Sequence, residues 1–348
     1  MGCRLVVQND TFFCRGVLFS RILLNFAPME KQDLRIVFMG TPEFAVASLS
    51  KLVENGYNVV AVVTQPDKPV GRHGSVLRAP AVKEYALAHG LPVLQPEKMK
   101  DPVFLEQLAS YKADLQVVVA FRMLPEVVWA IPHFGTFNVH AALLPQYRGA
   151  APINWAIING ETTTGVTTFF LDHHIDTGRI ILQRSFDIPE NADVEYVYDG
   201  LMNLGAEVCL ETVNSVLKYG IDIHSQPQME VDDLKSAPKL NKDNCRINWH
   251  QPAHRVHDFV RGLSPVPGAW TVLENGSRLT EMKIYRTLKM GRQCDEAVGS
   301  ICIDRGHMYV ATETEWLEIL NLQLSGKRRM EVRDFINGFN CECNARFL

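Results

Sequence analysis

The sequence predicts an α/β fold: a doubly wound, Rossmann-like, mostly parallel sheet, joined to a smaller C-terminal β-barrel of OB-like form. Three observations predict it. Apolar runs bounded by Gly and Pro alternate with amphipathic stretches from Leu34 onward, the pattern of successive β-α units. The texture turns polar and aperiodic over 222–236, which reads as a linker. Short segments of alternating polarity fill the C-terminal third of the chain. The expected organisation is an extension over 1–33 outside the fold, a Rossmann-like domain over 34–221, a linker over 222–236 and a barrel over 237–348.

Each element has its own signal. "LRIVFMG" (34–40) is a continuous apolar run ending in Gly, as buried parallel strands are. A helix follows, with Thr41 able to cap it, Pro42 suited to its first position and Gly56 able to end it. "YNVVAVVT" (57–64) is a second strand, and 65–80 a loop rich in Pro, Gly and basic residues. A helix at 81–90, a short strand at 91–96, a helix at 101–112 and a strand at 114–121 continue the alternation. Next come the strand "TFNVHA", a helix near 152–159 and strands at 165–171 and 178–188. A long helix covers about 194–218, with Leu201, Leu204, Val208, Leu210 and Val213 as its apolar stripe. After the linker, "AWTVLE", "EMKIYRTLKM", "VGSICID", "HMYVATE" and "WLEILNLQL" supply the barrel strands.

Composition excludes some classes. The net charge of −4 gives no global basic field, so a polyanionic partner would need a local patch. No run reaches the roughly 18 apolar residues of a membrane span. Eight scattered cysteines without C-x-x-C spacing read as free thiols of a reducing, cytoplasmic compartment. Residues 1–28 carry three Arg and one acidic residue. They read either as sequence upstream of a start at Met29 or as a targeting segment.

Four groups of residues could carry chemistry. "GTPEF" (40–44) lacks the G-x-G-x-x-G pattern, so a dinucleotide is poorly supported. In "TFNVHA", Asn138 and His140 share one face of a pleated strand, while Phe137, Val139 and Ala141 take the other. They are either buried polar groups satisfied by backbone, or an oxyanion donor beside a proton carrier. The structured loop "LLPQYRGAAP" follows at the strand's C-terminal edge, where open sheets bind ligands. "LDHHIDTG" (171–178) offers Asp172, His173, His174 and Asp176. Adjacent histidines rarely ligate one ion, so Asp176 is the better candidate, as a carboxylate holding the His140 tautomer. His250, His254 and His257 are spaced like metal ligands, yet His254, His257 and Arg261 fall on a helix face opposite Val256, Phe259, Val260 and Leu263. A polar, RNA-facing surface is the stronger reading. Lys68, Arg72, His73 and Arg78, and later Lys327, Arg328 and Arg329, are solvated charges or phosphate contacts.

Together these motifs are specific. "FNVHAALLPQYRGAAPINWAIINGE" followed by "TGVTTFFLDHHIDTG" resembles the folate-dependent formyltransferases. "RIVFMGTPEFA", "TQPDKPVGR", "YRGAAPINWAI", "KLNKDNCRINW" and "VRGLSPVPGAW" look like the methionyl-tRNA formyltransferase family within it, over about 34–340. The resemblance implies formyl transfer from 10-formyltetrahydrofolate, as co-substrate and without a metal, to the α-amine of initiator methionyl-tRNA. It implies Asn138, His140 and Asp176 as the catalytic set. Phe121, Arg122, Met123, Leu124, Leu143, Leu144, Pro145 and Asp172 would frame the folate. Lys68, Arg72, Arg78, Arg148, Lys327 and Arg328 would meet tRNA, whose body the C-terminal barrel would hold. A monomer suffices. Ala142 replaces the usual Ser of an "SLLP" segment, and Arg122 replaces a common Gly. The alternatives are a formyltransferase for a small amine, such as a nucleotide-linked amino sugar, and a non-catalytic tRNA-binding relative.

Overall fold

The computed structural model describes residues 29–70, 76–339, 341, 342 and 344–348, and three short strands within 6–18. Those three pair antiparallel with one another. Residues 29–33, which the sequence places outside the fold, are anchored to it. Lys31 Nζ donates to the Asn55 carbonyl (3.3 Å) and lies over the Tyr57 ring.

The first domain alternates as expected: β1 (Arg35–Gly40), α1 (Glu43–Glu54), β2 (Asn58–Val63), α2 (Ala81–Ala88), β3 (Val93–Leu94), α3 (Pro102–Ser110) and β4 (Leu115–Val119). It continues with β5 (Thr136–His140), α4 (Pro152–Ile158), β6 (Thr163–Phe170), β7 (Ile180–Asp187) and α5 (Val194–Tyr219). One seven-stranded sheet runs β7-β6-β5-β4-β1-β2-β3. It is parallel from β3 to β5, and β6 lies antiparallel to both neighbours. The central strands are apolar on both faces because helices cover both. On β5 the alternation is as the sequence dictates: Phe137, Val139 and Ala141 enter the core beside Phe38, Leu115 and Val117, under α1 and α5. Each such large side chain contributes about 1.5–3 kcal/mol by leaving water.

Two readings of local structure change. Helix α1 begins at Glu43, and Pro42, extended at φ −80°, ψ 174°, is its cap without a side-chain bond. Thr41 therefore lies outside the helix, and its hydroxyl is buried without a partner among the described residues. Within the 65–80 loop, Lys68–Val70 and Val76–Arg78 form a hairpin rather than irregular chain. Its foot is tied down by Asp67, which accepts from Lys83 Nζ (2.7 Å) and Gln95 Nε2 (2.8 Å).

The stretch 222–236 is polar and aperiodic, but it is strapped to the first domain. Gln226 and Ile180 exchange backbone hydrogen bonds (2.8 and 2.9 Å). Tyr147 N donates to the Lys235 carbonyl (2.7 Å), and Ser236–Ala237 pairs in parallel with Arg148–Gly149. Backbone hydrogen bonds and the Gln228 side chain hold it there, and such contacts impose no period.

Beyond it lies α6 (Ala253–Leu263) and an antiparallel sheet made of β8 (Ala269–Asn275), β9 (Arg278–Gln293), β10 (Ile301–Asp304), β11 (His307–Ala311), β12 (Glu315–Leu324) and β13 (Arg346–Phe347). The order is β10-β11-β12-β9-β8-β13, with Met330–Glu331 added to β12. A bridge between Ser300 and Arg346 brings the two edges together, so the sheet curls toward closure. Helix α6 departs from the expected amphipathicity. His254 is exposed, but His257 and Arg261 are buried at 4% and 8% exposure. Their face is the domain junction, not an RNA surface. His257 Nδ1 meets Thr287 Oγ1 (2.9 Å), and Arg261 bonds Asp258 (2.7 Å) and the Ala192 carbonyl (2.9 Å).

Candidate active site

A cavity of about 1010 Å³ opens at the C-terminal ends of β1, β4 and β5. Asn138 and His140 stand on its wall, and the loop after β6 brings Asp172 to Asp176 across from them. Phe121, Arg122, Met123 and Leu124 form another side. Tyr198 of α5 and Lys239 at the start of the second domain also line it.

His140 is 5% exposed, and its two ring nitrogens face different partners. Nε2 lies 2.9 Å from the Tyr147 carbonyl, which can only accept. Nε2 therefore carries hydrogen, and the neutral ring keeps its lone pair at Nδ1. That atom lies 3.9 Å from Asp176 Oδ2, an ion-pair distance rather than a hydrogen bond. The backbone thus fixes the tautomer that the sequence had assigned to Asp176. The carboxylate forms an ion pair with the ring only when the ring is protonated. It is held there by Gly149 N (2.9 Å), although Asp176 has the left-handed φ of +55°. The Asn138 amide makes no hydrogen bond among the described residues.

Two glycines let the loops approach. A Cβ on Gly149 (φ +129°) would lie 2.4 Å from the Ala237 carbonyl oxygen, which accepts from Ala150 N (2.8 Å) and Ala151 N (3.2 Å). On Gly178 a Cβ would lie 1.6 Å from the Phe170 oxygen.

The other sequence candidates are distributed unevenly. Leu143, Leu144 and Pro145 fall outside the cavity lining. Leu144 is buried in a small apolar cluster with Phe169 and Ile180. Asp172 Oδ1 is spent inside its own loop, on His174 N (3.0 Å) and Thr177 Oγ1 (2.7 Å). Arg148 donates to Gln228 Oε1 (Nε 3.1 Å, Nη2 2.5 Å), which ties it to the strap. Arg122 turns to the Pro96 and Glu97 carbonyls, and burial lowers its pKa. Lys68 and Arg78 are exposed and directly opposed across the hairpin. Arg72 and His73 lie outside the described residues. Lys327 and Arg328 are exposed, and Arg329 stacks on Tyr285 (4.4 Å). His250, His254 and His257 form no metal-binding group among the described residues.

Sequence reasoning missed Tyr147, Gln228 and Lys239. Tyr147 acts through a carbonyl, which no side-chain motif reports. Gln228 lies in aperiodic chain. Lys239 stands at the head of "KLNKDNCRINW", the one signal available.

Comparison with known proteins decides the family. Residues 34–213 match the formyl transferase family model, and 239–340 match its C-terminal domain model. A methionyl-tRNA formyltransferase of Parabacteroides distasonis is 58% identical over 316 residues, which is 89% of this chain and 97% of that protein. The chain belongs to the methionyl-tRNA formyltransferase family. A Flavobacterium johnsoniae methionyl-tRNA formyltransferase is 46% identical over 91% of this chain and 99% of that protein. Among solved structures, an N-formyltransferase of Helicobacter canadensis aligns with TM-score 0.60, covering 85% of this chain and 99% of that one. At 18% identity it shows the fold alone. Like the other members, this formyltransferase is folate-dependent. No helix among its described residues is long and apolar enough to cross a membrane.

Proposed function

We propose that the chain transfers the formyl group of 10-formyltetrahydrofolate to the α-amine of initiator methionyl-tRNA, at the end of the cavity lined by Asn138, His140 and Asp176. The observation that carries the site is the convergence in one cavity of an amide without a hydrogen bond among the described residues, an imidazole lone pair and a carboxylate. The neutral amine attacks the formyl carbon and leaves a tetrahedral oxyanion. Asn138 donates to that oxygen, a role typically worth about 3–4 kcal/mol in the transition state. His140 takes the amine proton at Nδ1, since Nε2 already bears hydrogen. Asp176 stabilises the imidazolium that results. The carbon–N10 bond then breaks, and His140 returns the proton to the departing tetrahydrofolate nitrogen.

The Lys68–Arg78 hairpin supports tRNA as the acceptor. Like charges directly opposed on two strands cost up to about 1 kcal/mol, and a phosphate between them removes that cost. In this reading the hairpin meets the acceptor stem, and the sheet over 237–348, with Lys327 and Arg328, holds the tRNA body. Purified protein given charged initiator tRNA and 10-formyltetrahydrofolate is expected to yield formylmethionyl-tRNA. No product with tRNA, but turnover of a nucleotide-linked amino sugar, would overturn the assignment.

A further inference from the structure

We infer that Gln228 is a positioning residue for the Asp176 carboxylate, so that the strap joining the two domains completes the catalytic end of the cavity. This rests on the proposed role of Asp176 beside His140. The Gln228 amide nitrogen donates to the Asp176 carbonyl (2.8 Å) and to the Gly178 carbonyl (3.0 Å). Its oxygen accepts from Arg148 Nε (3.1 Å) and Nη2 (2.5 Å). Both amide hydrogens and both oxygen lone pairs are used. Only a primary amide offers two donors and two acceptor sites at once. A carboxylate would lose both donors, and an ammonium would lose the acceptor.

Asp176 needs such a clamp. Its left-handed backbone costs about 1–2 kcal/mol for a residue with a Cβ and persists only where neighbours over-determine it. Gln228 holds the carbonyl end, and Gly149 N holds the carboxylate (2.9 Å). Arg148 adjoins Gly149, so the contacts form a ring: Arg148 to Gln228, Gln228 to Asp176, Asp176 back to Gly149. The ring fixes the two loops on either side of His140 against each other. Gln228 itself is delivered by the Gln226–Ile180 backbone pair at the sheet edge. The separation of 3.9 Å between Asp176 Oδ2 and His140 Nδ1 thus depends jointly on Gly149, which lines the cavity, and on Gln228, which does not.

The test is a double-mutant cycle in the full chain, read as kcat and KM for formylation of methionyl-tRNA, with thermal melts of each variant. Gln228→Ala is expected to lower kcat at least about 10-fold while KM for the formyl donor stays within about 2-fold. Gln228→Glu keeps the acceptor for Arg148 but loses both donors, and is expected to fall as far. In an Asp176→Asn background, Gln228→Ala is expected to cost less than about 2-fold more. Wild-type kcat in Gln228→Glu, or losses that multiply in full with Asp176→Asn, would overturn the positioning role while leaving the catalytic reading standing. Full activity in Asp176→Asn alone would overturn both.

Discussion

At His140 a backbone carbonyl and a carboxylate divide the ring between them. The Tyr147 carbonyl can only accept, so it selects the hydrogen on Nε2 and leaves the lone pair at Nδ1. Asn138, one side-chain repeat earlier on the same strand face, has an amide without a hydrogen bond among the described residues, and the proposed function gives it the developing oxyanion. Asn138→Ala is expected to lower kcat on the order of 10²- to 10³-fold with little change in KM, measured as initial rates of methionyl-tRNA formylation. A change confined to KM would show that the amide binds substrate instead. The neighbouring departure at Ala142 has a structural answer. Where a serine hydroxyl is missing, Thr167 Oγ1 donates to the Ala142 carbonyl (2.6 Å) and accepts from Leu144 N (3.1 Å). A hydroxyl from the adjacent strand thus serves the turn.

The decisive elements are three loops and a strap rather than any helix or strand interior. Gly149 is where they meet, because its nitrogen holds Asp176 and its missing Cβ admits the Ala237 carbonyl. Gly149→Ala would place a methyl 2.4 Å from that oxygen at a φ of +129°. Its expected cost is at least about 2 kcal/mol in chemical denaturation, with a parallel loss of kcat. Wild-type stability would show that the strap detaches without consequence. The same contacts explain a limit of sequence reading. The element pattern of 34–221 was legible because burial on two faces imposes period and apolarity. The strap was not, because backbone pairs and the Gln228 side chain tie it down, and these obey no period.

Across the whole molecule, α6 is the seam between domains, and it carries a buried neutral histidine. Burial lowers the His257 pKa to about 4, with Asp258 and Glu190 opposing that shift and Arg261 and Lys289 reinforcing it. Its Nε2 is buried without a partner among the described residues. The unfolded chain therefore binds the proton more readily than the fold. The stability contributed is fully present above the ordinary histidine pKa of about 6.5 and is lost as pH falls through that value toward 4. The loss amounts to about 2 kcal/mol by pH 5. Denaturation of the wild type at pH 7 and pH 5 is expected to show this difference, and His257→Gln to reduce it. An equal pH dependence in both proteins would assign the effect elsewhere.

The sequence by itself determined the sheet, the identity of the polar face on β5 and the family, since period, apolarity and motif are local properties of the chain. It pointed to Asn138, His140 and Asp176 as one group through resemblance. Tertiary structure alone decided that Tyr147 sets the imidazole tautomer and that Leu144 belongs to the core. It also decided that Arg148 answers to Gln228, and that His257 and Arg261 face a domain junction instead of solvent. The reason is physical. Each of these depends on which backbone carbonyl or packed surface stands opposite a side chain, and that partner comes from a distant part of the chain.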